Sequence, residues 1–254
     1  MDNGFANQKR YDIYIWSMRK ILFFMLFAMS AFAVVYVMQD DDSLIVDHVD
    51  EVEVDEEEVV EPVVIPLDFI EQEVPFTSQA PTANWDDPRQ QDGCEEASIL
   101  MAAHWVQGTT LTAEEALVAI LDLSAAAEER FGYFSDSDVD ETAELMNSFF
   151  ETKAAIAVHD STLDQIIEEL WKGNIVLVPA DGQALNNPNF TEPGPERHML
   201  LIKGYDAVTS EFITNDPGTK NGEGYRYNED VLYDAIRDYP SKKQTWRKKK
   251  DQKR

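Results

Sequence analysis

The sequence predicts an α+β domain over residues 74–240. Apolar residues recur at helical spacing from Cys94 to Phe149, and a further capped helical stretch ends at Trp171. Short β-branched and apolar runs bounded by turn residues follow only after Gly173. No internal repeat interrupts this order. Helices first and strands later argue for helices set against an antiparallel sheet rather than alternating α/β units.

In the first predicted helix, Cys94, Ala97, Leu100, Met101, His104 and Trp105 share one face, and Gly108 ends it. Thr112 with Glu115 three residues on is a capping-box pattern that opens a second helix. Ser137 or Asp138 can cap a third, through Phe149. Ser161 can cap a fourth, through Trp171 and Lys172, stopped by Gly173. The alternation of Asp136, Asp138 and Asp140 is better read as capping than as a calcium loop, since no turn glycine or closing glutamate follows. The predicted strands are residues 174–179, 198–205, 211–214 and 225–227, with Val208, Thr209 and Ser210 as the turn between the second and third. Asn228 can cap a last helix, through Tyr239.

The flanks differ in composition. Residues 1–20 are expected to be a cytoplasmic N-terminus. Residues 21–38 carry no charge, follow Lys9, Arg10, Arg19 and Lys20, and precede Asp40, Asp41 and Asp42. That pattern predicts a single-pass signal-anchor with the C-terminal bulk outside the cytoplasmic membrane. Ala31-Phe32-Ala33 offers the alternative of a cleaved signal peptide and a secreted product. Residues 39–73 are expected to be an acidic flexible linker, with twelve acidic residues and no Lys or Arg between Asp40 and Glu61. Residues 241–254 form a basic tail with eight Lys and Arg. The net charge of −28 argues against a nucleic-acid partner, one cysteine excludes an internal disulfide framework, and four scattered histidines have no zinc-finger spacing.

Cys94, the only cysteine, stands where a helix begins. A thiolate there is stabilised by the helix dipole and free backbone N–H groups, which lowers its pKa and makes it a usable nucleophile. Such a nucleophile needs an imidazole to take its proton and a third group to orient that imidazole. His198 opens one predicted strand and Asp216 follows the next, so a hairpin can bring them together. The pattern Cys, His, Asp suits acyl transfer; a cysteine used only for packing is the competing reading.

VPFTSQ at residues 74–79, the helix-opening cysteine, RHMLLIKGYD and ITNDPGT together resemble the C39-like branch of the papain-like cysteine peptidases. The resemblance covers about residues 74–239. It implies a papain-like fold with the cysteine helix packed on an antiparallel sheet. It also implies Cys94 as nucleophile, His198 as general base and acid, and Asp216 as orienter. The family's oxyanion-hole glutamine matches Gln79 best, with Gln90 and Gln91 as alternatives, and Asn215 stands second to Asp216. A peptide or protein is then the substrate, and no metal or organic cofactor is required. Glu95-Glu96 departs from the Gly-Pro often found after the cysteine. Carboxylates there raise the thiol pKa unless they point away, and can instead favour a basic or amine-bearing substrate. They also support the alternative of a non-catalytic surface module that binds peptide or protein.

Overall fold

A computed structural model describes residues 68–240, and residues 11–15 as backbone. The elements in chain order are strands β1 (Tyr11–Ile15) and β2 (Phe69–Glu71), then helices α1 (Pro88–Gln91), α2 (Cys94–Gln107), α3 (Ala113–Phe131) and α4 (Val139–Phe149). Strand β3 (Ala155–His159), helix α5 (Leu163–Trp171), strands β4 (Ile175–Ala180), β5 (His198–Asp206), β6 (Glu211–Asn215) and β7 (Tyr225–Asn228), and helix α6 (Glu229–Ala235) follow. The architecture is α+β.

The described strands form one sheet in the order β3-β1-β4-β5-β6-β7, with β2 on the far end of β5, and every pairing is antiparallel. Strands β4 and β5 are buried along nearly their whole length, and the pleat splits their apolar residues between two cores. Ile175, Leu177, Met199 and Leu201 face α2, α3 and α4. Val176, Val178, Leu200 and Ile202 face α5 and α6, where Ile166, Leu170, Leu232 and Ala235 cover them. Helix α2 is buried nearly all round, with Ala97, Ile99, Leu100, Met101 and Ala102 at most 1 % exposed. It is the core helix of one layer, and its end at Gly108 uses a left-handed φ of 67°.

The sequence expectations meet the structure with a few differences. The Thr112/Glu115 capping box is present, and Asp138 caps α4 by accepting from Glu141 N. Helix α5 is capped by Thr162, one residue after Ser161, because Gln165 completes a second capping box with it. Helix α6 stops at Ala235, well short of Tyr239, where Ile236 turns extended and bridges to Ala180. The linker expected to reach residue 73 contains β2, whose Phe69–Glu71 pair with Asp206–Gly204. The segment expected to be a cytoplasmic N-terminus contributes β1, hydrogen-bonded to β3 and β4. The expected anchor at 21–38, the linker up to residue 67 and the tail at 241–254 lie outside the described residues. Among the described residues no helix is long and apolar enough to cross a membrane.

Candidate active site

The β5–β6 hairpin sets one end of the site. Its turn lies at residues 207–210, with Ser210 at φ 55°, so the start of β5 and the end of β6 emerge together at the open end. His198 opens β5 and Asp216 follows β6 directly. Their side chains meet, His198 Nε2 donating to Asp216 Oδ1 at 2.8 Å, with 1 % and 0 % of the two side chains exposed. Using Nε2 for this bond leaves Nδ1 as the ring nitrogen that can take a proton.

Asp216 is held from several sides. Tyr227 donates to Oδ2 at 2.6 Å, Asn187 donates to the same oxygen at 3.3 Å, and the Gly218 backbone N–H donates to Oδ1 at 3.0 Å. Asn187 also donates to the Tyr227 hydroxyl at 2.7 Å. Burial alone would raise the Asp216 carboxyl, but the His198 charge and these hydrogen bonds outweigh it and hold the carboxylate below its usual range. Phe190 packs edge-on against the His198 ring at 5.3 Å. Asn187, Phe190, Gly218 and Tyr227 were not singled out by the sequence, and no local pattern marks them, because their roles arise only when three separate segments meet. Asn215, the second candidate to orient His198, is engaged elsewhere. Its Nδ2 donates to the Val74 and Pro75 carbonyls, and its Oδ1 accepts from Gly224 N.

Helix α2 brings Cys94 to the same end of the sheet. Its N-cap is Gly93, where a Cβ would sit 2.5 Å from the Arg89 carbonyl, so α1 turns into α2 only through a residue without a side chain. One turn in, Ser98 Oγ donates to the Met199 carbonyl, beside His198. Gln79 enters from a third segment. Its backbone N–H donates to the Pro217 carbonyl at 2.9 Å, and its Nε2 donates to the Gln90 and Gln91 carbonyls at 3.0 and 2.6 Å. Gln90 is 1 % exposed with its Oε1 unpartnered among the described residues, and Gln79 and Gln91 are the candidate glutamines that line the cleft.

Gln79, Cys94, Glu95 and His198 line one cavity of about 820 Å³. The loop after β4 forms much of its wall through Asn189–Pro195 and Arg197. Asn221 Nδ2 donates to Asn189 Oδ1 and ties that loop to the one after Asp216.

The state of the thiol corrects the sequence expectation. No hydrogen bond joins Cys94 to His198 among the described residues; Cys94 Sγ donates to Glu95 Oε2 at 3.1 Å. Burial, the Glu95 carboxyl and Glu96 push the Cys94 thiol up, while the Met199 backbone pulls it down more weakly. The helix N-terminus therefore does not set the resting thiol low, because desolvation and two adjacent carboxyls outweigh it. Glu95 is itself pushed up to about 7, chiefly by burial and further by Asp136, with Cys94 and His198 acting against the rise. Glu96 is fully buried, neither carboxyl oxygen is within hydrogen-bond geometry of a partner among the described residues, and burial followed by Glu95 raises it well above the usual range, with Ser124 acting weakly against the rise.

A family model described as "Peptidase_C39 like family" matches residues 71–253 of this chain. No curated protein matches it.

Proposed function

The chain belongs to the C39-like peptidase family, a cysteine peptidase family with peptide or protein substrates, and from that premise we propose that it hydrolyses a peptide or amide bond with a Cys94-His198-Asp216 triad. The observation that carries the reading is that the buried His198–Asp216 pair backs the same cavity that Cys94 lines.

In this reading the Cys94 proton passes to His198 Nδ1 as the sulfur attacks the substrate carbonyl carbon. The new oxyanion takes hydrogen bonds from the Cys94 backbone N–H and the Gln79 amide, which exchanges one of its bonds to the Gln90 and Gln91 carbonyls for the substrate oxygen. The carbon–nitrogen bond breaks, His198 gives its proton to the leaving amine, and a thioester remains on Cys94. Water then adds, losing a proton to His198. The carbon–sulfur bond breaks, the carboxylic acid leaves, and the thiol regains its proton. Asp216 keeps the imidazole in the required tautomer throughout.

Incubation of the full chain with a mixed peptide library, read by mass spectrometry, tests this. Cleavage is expected from the wild type and not from Cys94→Ala or His198→Ala. Cleavage that survives both substitutions rejects the triad.

A second reading, a peptide-binding module without catalysis, is favoured by one observation: the resting thiol is bound by Glu95 rather than by His198. It predicts binding of peptides without cleavage, unaltered by Cys94→Ala.

We place the domain outside the cytoplasmic membrane on sequence grounds alone, from the uncharged run at 21–38 and the charges around it. The pairing of Tyr11–Ile15 with β3 and β4 argues against a spanning anchor that keeps residues 1–20 inside, since a sheet is not shared across a bilayer. Protease digestion of intact cells decides: degradation of the domain supports the outside location, and protection rejects it.

A further inference from the structure

Glu95 occupies an unusual place for a carboxyl. It lines the cavity, 6 % exposed, and its side chain accepts from the weak S–H donor of the nucleophile and from its own backbone N–H. An ionised carboxylate offers about four acceptor positions. Asp136 and the adjacent Glu96 oppose its ionisation, and His198 favours it. The cavity's arginine, Arg197, pairs with Asp136 at 3.6 Å. Asp92 and Glu192 add further carboxyls to the lining, against the single ammonium of Lys220.

A thiolate cannot readily form beside a second negative charge in so dry a place. Proton transfer from Cys94 to His198 therefore needs the Glu95 charge to be neutralised first. We infer that Glu95 is the specificity residue of this cleft and that the substrate presents an ammonium or guanidinium group to it, beside the carbonyl that Cys94 attacks. The inference rests on the cysteine peptidase reading for the word substrate, but the cation site itself does not. When the cation arrives, it takes the Glu95 carboxylate as its partner, the hydrogen bond from the thiol is released, and Sγ turns to His198. A peptide lacking the cation leaves the thiol protonated on Glu95. The carboxyl that holds the enzyme at rest thus becomes the group that selects what activates it.

Because Cys94 is the only cysteine, thiol labelling of the full chain reads this site alone. Cationic trimethylammonium-ethyl and anionic sulfonato-ethyl methanethiosulfonates each form a mixed disulfide with Cys94 and release methanesulfinate. After correction for their rates with a free thiol, the cation should react at least about tenfold faster than the anion. Glu95→Gln should collapse that ratio, while Glu128→Gln, an exposed carboxylate on α3, should leave it unchanged. A ratio the same in wild type and Glu95→Gln overturns the inference and assigns the preference to the overall negative charge. Paired peptides with lysine or acetyl-lysine near the scissile bond complete the test, with lysine favoured in kcat/KM in the wild type and not in Glu95→Gln. Equal cleavage of both overturns the inference and leaves the peptidase reading standing. Charge-selective labelling with no cleavage of any peptide upholds the cation site and rejects the peptidase reading.

Discussion

Cys94 and Glu95 are neighbours in the chain and hydrogen-bonded partners in space, Sγ to Oε2 at 3.1 Å in the first turn of α2. Consecutive helical residues normally point about 100° apart, so this contact comes from the helix start, where both side chains turn into the same cavity. With burial and Glu95 raising the thiol, iodoacetamide alkylation of the free protein should reach half its limiting rate above the ordinary thiol pKa of about 8.5. Glu95→Gln removes the neighbouring charge and should move that midpoint down. A wild-type midpoint below the ordinary value contradicts the geometry.

Tyr227 acts on the reaction through Asp216, to which its hydroxyl donates at 2.6 Å. Removing the hydroxyl by Tyr227→Phe takes the shorter of two donors from Asp216 Oδ2, leaving Asn187 at 3.3 Å, and deprives Asn187 of its 2.7 Å acceptor. The ring, packed at 4.7 Å against Tyr225, stays in place. The expected result is a fall in kcat of about tenfold or more with KM nearly unchanged, since the supporting shell orients the imidazole without touching substrate. A loss confined to KM would assign Tyr227 to substrate binding instead.

Gly218 is fixed by close approach. A Cβ there would lie 2.9 Å from His198 Cε1, 2.9 Å from Phe190 Cε1 and 3.2 Å from Asp216 Oδ1. The imidazole can yield only by leaving its bond to Asp216, and Phe190 only by moving into the cavity. Gly218→Ala is therefore expected to lower kcat/KM by about a hundredfold, the scale of an ångström misplacement at a reacting group. Gly218 is half-buried and lines the cavity, so the melting temperature should fall far less than the activity. Equal losses of activity and stability would mean that the residue serves the fold rather than the site.

How much of this was legible beforehand follows from how local each signal is. Helices α2, α3 and α4 were readable because their spacing and their caps at Thr112 and Asp138 sit within a few residues. His198 and Asp216 were readable as a pair because a short hairpin joins them. Strand β3 was not, since Ala155–His159 is mixed in burial and its strand character depends on pairing with Tyr11–Ile15, far along the chain. Asn187 and Tyr227 were invisible for the same reason. The thiol was misjudged because a helix N-terminus is a local feature, whereas the burial that outweighs it is produced by the whole fold.

Glu96 carries the last prediction. It is wholly buried, both carboxyl oxygens lack hydrogen-bond partners among the described residues, and burial with Glu95 raises its pKa well above the carboxyl value of 4.5. Above that unfolded value the native state keeps a proton that the unfolded chain has released, so stability falls as pH rises from about 4.5 upward. Glu95, raised to about 7, adds to the fall across the same window. Asp216, depressed below its usual range, acts in the opposite sense and only at lower pH, where its contribution is lost as pH falls. Replacing Glu96 by methionine fills similar space with an apolar chain. At pH 8 it should raise the unfolding free energy by about 1–3 kcal/mol, with a smaller gain at pH 5 and a flatter dependence between. Glu96→Gln should flatten the pH dependence without the full gain, because its amide hydrogens stay buried without acceptors. Urea unfolding of the three proteins at both pH values checks this, and a methionine variant less stable than wild type at pH 8 would mean that Glu96 is satisfied by a bound water the neutral core needs.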